Sequence, residues 1–425
     1  MGEGVLSLDG VRLAAIAEQV GTPLYVYSAA KIRTQYQTLD AALAPVPHRI
    51  CYSVKANGNL AVLKLLMKLG AGADIVSGGE LLRVLRAGYH GPDIVFSGVG
   101  KTVEEMQAAL DAEVGLINVE SEEELDVLAG VAQRRARTAA VAIRVNPEVT
   151  LDVHPYTATG VKGKKFGVAL DEALELAYRA SRTRGLALRG LAMHLGSGIT
   201  EVAPFVQAVL KLLELVDELR RRGVPSLTTL DLGGGLGIRY RATDQPLDVP
   251  AYADAILPLV TASRLTVVVE PGRFIVGNAG VLLTRVLYRK RSGGRMIAVV
   301  DAGMTDLIRP SHYQAYHEIA VDQAAGRPLK PYDVVGPICE SGDFFALDRE
   351  LPELETGDLL VVRGAGAYGF VMTSTYNARP RPPEVLVDAG RFAVVRERET
   401  AADLARGETL DLVWRTSSTG TKAAS

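Results

Sequence analysis

Eight short, β-branched apolar stretches recur between residues 49 and 270, and each is followed by a longer stretch with helical spacing. They are Arg49–Val54, Ala73–Val76, Asp93–Ser97, Leu116–Val119, Ala140–Val145, Leu188–His194, Thr228–Leu232 and Leu265–Glu270. The clearest helical pattern is Val202–Arg222, with Val206, Val209, Leu210, Leu213, Val216 and Leu219 on one side. Ala61–Leu69 is another, and Ser121 followed by Glu124 predicts a capping box opening a helix over Glu122–Gln133. Eight strand–helix units in about 250 residues predict a closed (β/α)8 barrel, with an open doubly wound sheet as the rival.

From Gly280 the pattern changes. Val281–Tyr288, Met296–Val300, Leu359–Val362, Glu384–Val387 and Arg391–Val395 read as strands with little helix between them. The 425 residues therefore divide into a barrel over 31–279 and an all-β domain over 280–416. Residues 1–30, with the strand candidate Pro23–Tyr27, are expected to join the β domain, and the small polar tail 417–425 to be disordered.

The net charge of −2 implies no attraction to nucleic acid or membrane surface. The short basic runs Arg220-Arg221-Arg222 and Arg289-Lys290-Arg291 read as solvated faces. No apolar run approaches a membrane span, and Met1-Gly2-Glu3-Gly4 does not read as a secretory signal. Cys51 and Cys339 lie far apart, and neither they nor the six histidines have metal-ligand spacing. A soluble cytoplasmic protein with free thiols and no metal is the expectation.

In a barrel, chemistry sits at the carboxyl ends of the strands. Here those ends carry Lys55, Ser77-Gly78-Gly79-Glu80, Ser97, Asn118, Arg144, His194, Gly233–Gly237 and Glu270. Lys55 alone would read as a snorkelling strand-end lysine. Among apolar walls it is expected to have a lowered pKa and to serve as an amine nucleophile. Gly233–Gly237 follows strand seven, where barrel phosphate sites are often built, although a plain tight turn is the default reading. Glu270 ends an apolar strand and needs a cationic partner, either a protonated ring nitrogen or Arg273. His194 is open between a general base, a stacking ring and a core histidine.

Four segments now bring a family into view: Tyr52–Asn57, His194–Gly198, Gly233–Gly235 and Glu270–Arg273. Together they resemble the fold-type III pyridoxal-phosphate decarboxylases, which pair a barrel with an alanine-racemase-like β domain. Arg309–Tyr313, Cys339–Asp343 and Gly364–Tyr368 narrow the resemblance to the diaminopimelate decarboxylases, over about Pro23 to Phe392. The resemblance implies decarboxylation of meso-diaminopimelate to L-lysine, the last step of lysine biosynthesis. It implies that Lys55 carries pyridoxal phosphate as a Schiff base, Glu270 faces the ring nitrogen, and His194 stacks on the ring. Asp74 would support Lys55 or the ring. Gly234, Gly235, Gly272, Arg273, Ser197 and Tyr368 would bind the phosphate.

The resemblance further assigns Arg273, Arg309, Tyr313, Glu340 and Tyr368 to the substrate, and Cys339 to proton return after carbon dioxide leaves. Cys339 and Glu340 are expected to reach the site of a second copy, which implies a homodimer with shared sites. The segment 154–160 with Lys165-Phe166-Gly167 is similar to the family's lid. The sequence departs from the family at Gly198, usually polar, and at Ser311-His312, often Ala-Leu. Decarboxylases of other basic amino acids or of carboxylated polyamines are the alternative, and Arg309 argues against a bare distal ammonium. A racemase, or a non-enzymatic cofactor carrier, fits Cys339-Glu340 less well.

Overall fold

The structure, a computed structural model, describes residues 4–150, 154, 159–161, 163–224 and 226–415. Eight parallel strands close into a barrel in chain order: His48–Ser53, Gly72–Ile75, Ile94–Phe96, Leu116–Val119, Ala139–Arg144, Leu186–Ala192, Thr229–Asp231 and Thr266–Val269. The last pairs with the first, Val267 opposite His48, so the rival open sheet is excluded. Both faces of each strand are covered, inside by facing strands and outside by helices, which is why the strands read as near-continuous apolar runs. Cys51, Val95, Leu116, Ala142, Ala192 and Val268 form one small apolar cluster.

The helices begin where polar side chains can take the first free N–H groups. Ser77, Thr102, Ser121 and Asp248 each cap the helix that follows. At Ser121 only half of the expected capping box forms. The hydroxyl accepts from Glu124 N–H at 3.1 Å, but Glu124 turns to the Glu120 N–H and to Lys101 Nζ. A buried ammonium 2.7 Å away outcompetes a backbone amide for that carboxylate. Strand eight is followed only by a four-residue helix, Arg273–Val276. Ala29–Leu43, which precedes strand one, packs beside Leu60–Lys68 and Val249–Ser263 and completes the helical ring.

The β domain is organised on the long strand Gly280–Ser292. Its first half pairs with Leu24–Ser28 and with Leu359–Val362, and its second half with Arg295–Val300. A bulge between Val286 and Tyr288 separates the halves. Outward from it, Leu329–Val335 and Phe344–Pro352 extend one side, while Glu384–Asp388 and Arg391–Arg396 extend the other beyond Leu24–Ser28. Leu329–Val335, Phe344–Pro352 and Ile319–Val321 have no counterpart in the sequence reading. The first two contain Pro331 and Pro352 and several charges, an edge-hairpin composition that hides the period-two signal. Among the described residues no helix is long and apolar enough to cross a membrane.

Candidate active site

Strand one ends in a single 3-10 turn, Val54–Ala56, which directs Lys55 into the barrel mouth. Lys55 Nζ lies 2.6 Å from Asp74 Oδ2, on the neighbouring strand, and 3.3 Å from Ser53 Oγ. Burial pulls the lysine pKa down, but Asp74, Tyr368 and Glu270 outweigh it and hold the amine above its ordinary value. The expected lowered pKa is therefore corrected: the lysine stands against a fully buried carboxylate rather than against apolar walls alone.

Across the mouth, Glu270 shares the amide of Asn118 with a residue the sequence reading passed over, Asp231. Asn118 Nδ2 donates to Asp231 Oδ2 at 2.9 Å and lies 3.4 Å from Glu270 Oε1. Burial first, then Asp231 and Asp74, raise Glu270 well above the carboxylate range, and burial pushes Asp231 up to about 6. The alternative Glu270–Arg273 ion pair does not form. Arg273 turns away to Ser197 Oγ, 3.1 Å from Nη2, and to Tyr240 Oη, 2.5 Å from Nη1. Asp231 carried the same signature as Glu270, an acid ending an apolar strand, and could have been found by it.

His194 accepts the Gly234 N–H at Nδ1, 3.1 Å away, so its proton sits on Nε2. Burial, Lys55 and Arg144 push the ring pKa well below its usual value, so the imidazole is neutral. The glycine loop is tight. A Cβ on Gly234 would lie 2.1 Å from the Glu270 carbonyl, and one on Gly235, at φ +100°, 2.4 Å from the Gly196 carbonyl. A Cβ on Gly272 would lie 2.9 Å from Ala56 Cβ and 3.0 Å from Ser53 Cβ. Among the described residues, the N–H groups of Gly235, Gly272 and Arg273 have no hydrogen-bond acceptor.

The β domain completes the mouth. Tyr368 N–H donates to Ala56 C=O at 2.9 Å, and Asn57 Nδ2 donates to Gly366 C=O at 3.1 Å, so the 364–368 loop is clamped to the Lys55 turn. A cavity of about 370 Å³ lies among Lys55, Ser97, Asn118, His194 and Glu270. A second, of about 750 Å³, contains Lys55, His154, Ser197, Arg273, Arg309, Tyr313 and Tyr368. Arg309 is buried, and neither it nor Arg273 has a carboxylate partner among the described residues. Tyr240 also lines this cavity, and the sequence offered no sign of it. Cys339 and Glu340 are exposed and line neither cavity. Residues 155–158 of the lid-like segment lie outside the described residues; His154 stacks edge-on to Tyr313 at 5.7 Å.

These residues fit pyridoxal phosphate. Asp74 Oδ1 and Asn118 Oδ1 are buried polar atoms without a partner. The Glu270 carboxyl at the floor, raised by burial and beside the Asn118 amide, suits a ring nitrogen. The unengaged backbone donors beside Ser197 suit a phosphate.

Residues 29–277 match the model of the pyridoxal-dependent decarboxylase, pyridoxal binding domain. The chain is 51% identical to the diaminopimelate decarboxylase of Pseudomonas aeruginosa, over 95% of this chain and 97% of that one. Its fold superposes on diaminopimelate decarboxylase from Helicobacter pylori, crystallised with L-lysine, with a TM-score of 0.89 at 39% identity, covering 92% of this chain and 98% of that one. For the enzyme from M. jannaschii the TM-score is 0.92 at 36% identity, covering 96% and 97%. The chain belongs to the diaminopimelate decarboxylase family of pyridoxal-dependent decarboxylases.

Proposed function

We propose that this enzyme converts meso-diaminopimelate to L-lysine and carbon dioxide at the mouth of the barrel, in the cytoplasm, as a homodimer. The observation that carries the substrate reading is the pair of guanidiniums, buried Arg309 and half-buried Arg273, facing a cavity shared with Lys55. A substrate with an amino-acid head at each end would place its remote carboxylate there, in bidentate reach of arginine.

Lys55 is the residue that carries the cofactor, and Asp74 keeps a proton on its nitrogen. When bound, pyridoxal phosphate supplies an electron sink for the pair released as the carbon–carboxylate bond breaks. Glu270, its carboxyl raised by burial and by Asp231, would face the ring nitrogen. His194, neutral and fixed by the Gly234 amide, would cover a ring face. The N–H groups of Gly235, Gly272 and Arg273, with Ser197 and Tyr368, would hold the phosphate, and Gly234 would shape the loop that brings them there.

Cys339 returns a proton to the substrate carbon, and Glu340 pairs with the distal ammonium. Both would come from the second copy, because in their own chain they stand outside the cavity. The loop that bears them is preformed: Asp343 accepts from Met304 N–H at 2.5 Å and Ile338 N–H at 2.6 Å, and Asn377 accepts from Cys339 N–H at 2.9 Å.

The test is release of carbon dioxide and L-lysine from meso-diaminopimelate by purified, cofactor-loaded protein. Turnover of ornithine, arginine or a carboxylated polyamine in place of diaminopimelate would overturn the reading.

A further inference from the structure

Arg273 and Arg309 are like charges lining one cavity, and two side chains that are not carboxylates keep them there. Tyr240 stands between them. Its hydroxyl oxygen accepts from Arg273 Nη1 at 2.5 Å, and its ring faces the Arg309 guanidinium, 4.9 Å from the ring centroid. Burial alone would raise the phenol pKa, but the two arginines outweigh it and hold it below the ordinary value. Asp244 sets the place of this tyrosine by accepting the N–H groups of Tyr240 and Arg241, at 3.0 and 2.7 Å.

Behind Arg309 stands His317, which has no exposed surface. Its Nδ1 lies 2.8 Å from the Arg363 carbonyl, and its Nε2 lies 3.0 Å from Arg309 Nη1. A carbonyl can only accept and a guanidinium can only donate. The ring therefore carries its proton on Nδ1 and offers a lone pair to Arg309 from Nε2. Burial, then Arg309, push the His317 pKa down to about 3, so the ring stays neutral at working pH. The ring of Tyr240 meets His317 edge-on at 5.4 Å, which ties the two supports together.

We propose that His317 and Tyr240 are positioning residues that make the pocket selective for ligands carrying a carboxylate at the end remote from the reacting carbon. This rests on the assignment of Arg273 and Arg309 to that carboxylate. His317 holds one N–H of Arg309 away from the cavity as a neutral acceptor, which orients the rest of the guanidinium. Because neither support is a carboxylate, the two cations have no carboxylate partner among the described residues until a ligand brings one. A ligand without one leaves them unpaired, which is a strong basis for rejection.

The experiment compares inhibition by L-lysine and by 1,5-diaminopentane in the cofactor-loaded enzyme. The first keeps the remote carboxylate and the second is the same chain without it. In His317→Leu the lysine inhibition constant is expected to rise at least about tenfold, with 1,5-diaminopentane held within about twofold. The KM for diaminopimelate should follow lysine while kcat stays within about threefold. His317→Gln, whose amide oxygen can accept from Arg309, should recover most of the loss. Tyr240→Phe should shift lysine selectively in the same direction, and it keeps the test open if His317→Leu does not fold. Equal shifts for both ligands, no shift for either, or a glutamine variant as impaired as the leucine would overturn the inference. Absence of diaminopimelate turnover by the unaltered enzyme would instead overturn the proposed function.

Discussion

Asp74, Asp231 and Glu270 bring three fully or nearly buried acids to one barrel mouth, and only Asp74 has an ammonium within hydrogen-bond distance. Glu270, raised by burial and its acidic neighbours, is the acid proposed to face the ring nitrogen. Glu270→Gln keeps the shape but cannot hold a ring-nitrogen proton in the same balance. The expected outcome is a kcat lower by about two to three orders of magnitude with the cofactor still bound, read by steady-state kinetics and cofactor absorbance. Asp306 is a buried acid of another kind. Burial raises its pKa to about 7, and its Oδ2 accepts the Gly303 N–H at 2.8 Å. The folded state thus binds a proton that the unfolded chain releases near its normal pKa. Stability is fully present below about pH 4 and is lost as pH rises through about 7, at about 1.4 kcal/mol per unit between the two values. Unfolding at pH 5 and pH 8 should show the wild type weaker at pH 8. Asp306→Asn, which still accepts from Gly303, should flatten that difference.

Among the elements, the loop after Leu359–Val362 does the most to join the domains. Gly366 packs so closely that a Cβ would sit 1.9 Å from the Val276 carbonyl and 2.8 Å from the Gly280 nitrogen. Its own carbonyl accepts from Asn57, two residues beyond Lys55. Gly366→Ala is expected to push this loop off the Lys55 turn and carry Tyr368 with it. Overpacking of this kind costs about 1–3 kcal/mol, so a lower melting temperature and weaker cofactor binding by absorbance titration are expected together. Unchanged cofactor affinity would show that Tyr368 does not depend on this clamp. The polar residues at the strand ends also divide by element. Ser77 and Ser121 are helix caps, whereas Lys55, His194 and Glu270 enter the mouth.

At the scale of the molecule, one chain holds Lys55 and both arginines but leaves Cys339 and Glu340 exposed outside the cavity. In the two-fold dimer proposed above, each chain would complete the other's site. Lys55→Ala and Cys339→Ala chains should each be inactive alone. Mixed through unfolding and refolding, half the dimers are heterodimers and each has one intact site, so about a quarter of wild-type activity is expected. Confirmed heterodimers without activity would mean that Cys339 does not act across the interface.

The sequence by itself narrowed the fold to a closed barrel or an open doubly wound sheet, since short apolar strands alternating with amphipathic helices leave few other solutions, and the pairing of the last strand with the first decided between them. It also located Lys55, His194, the glycine loop and Glu270 at one end, because parallel strands all point the same way. What it could not supply were quantities that depend on distances between residues far apart in the chain. The charge of Lys55 is held by Asp74 on the next strand, and the Glu270 carboxyl is raised by its burial and then by Asp231 and Asp74. Arg309 is held by Tyr240 from the barrel and His317 from the β domain, in loops with no periodic signal. Electrostatics and burial arise only once such groups share a small, water-poor space, and that space exists only in the folded chain.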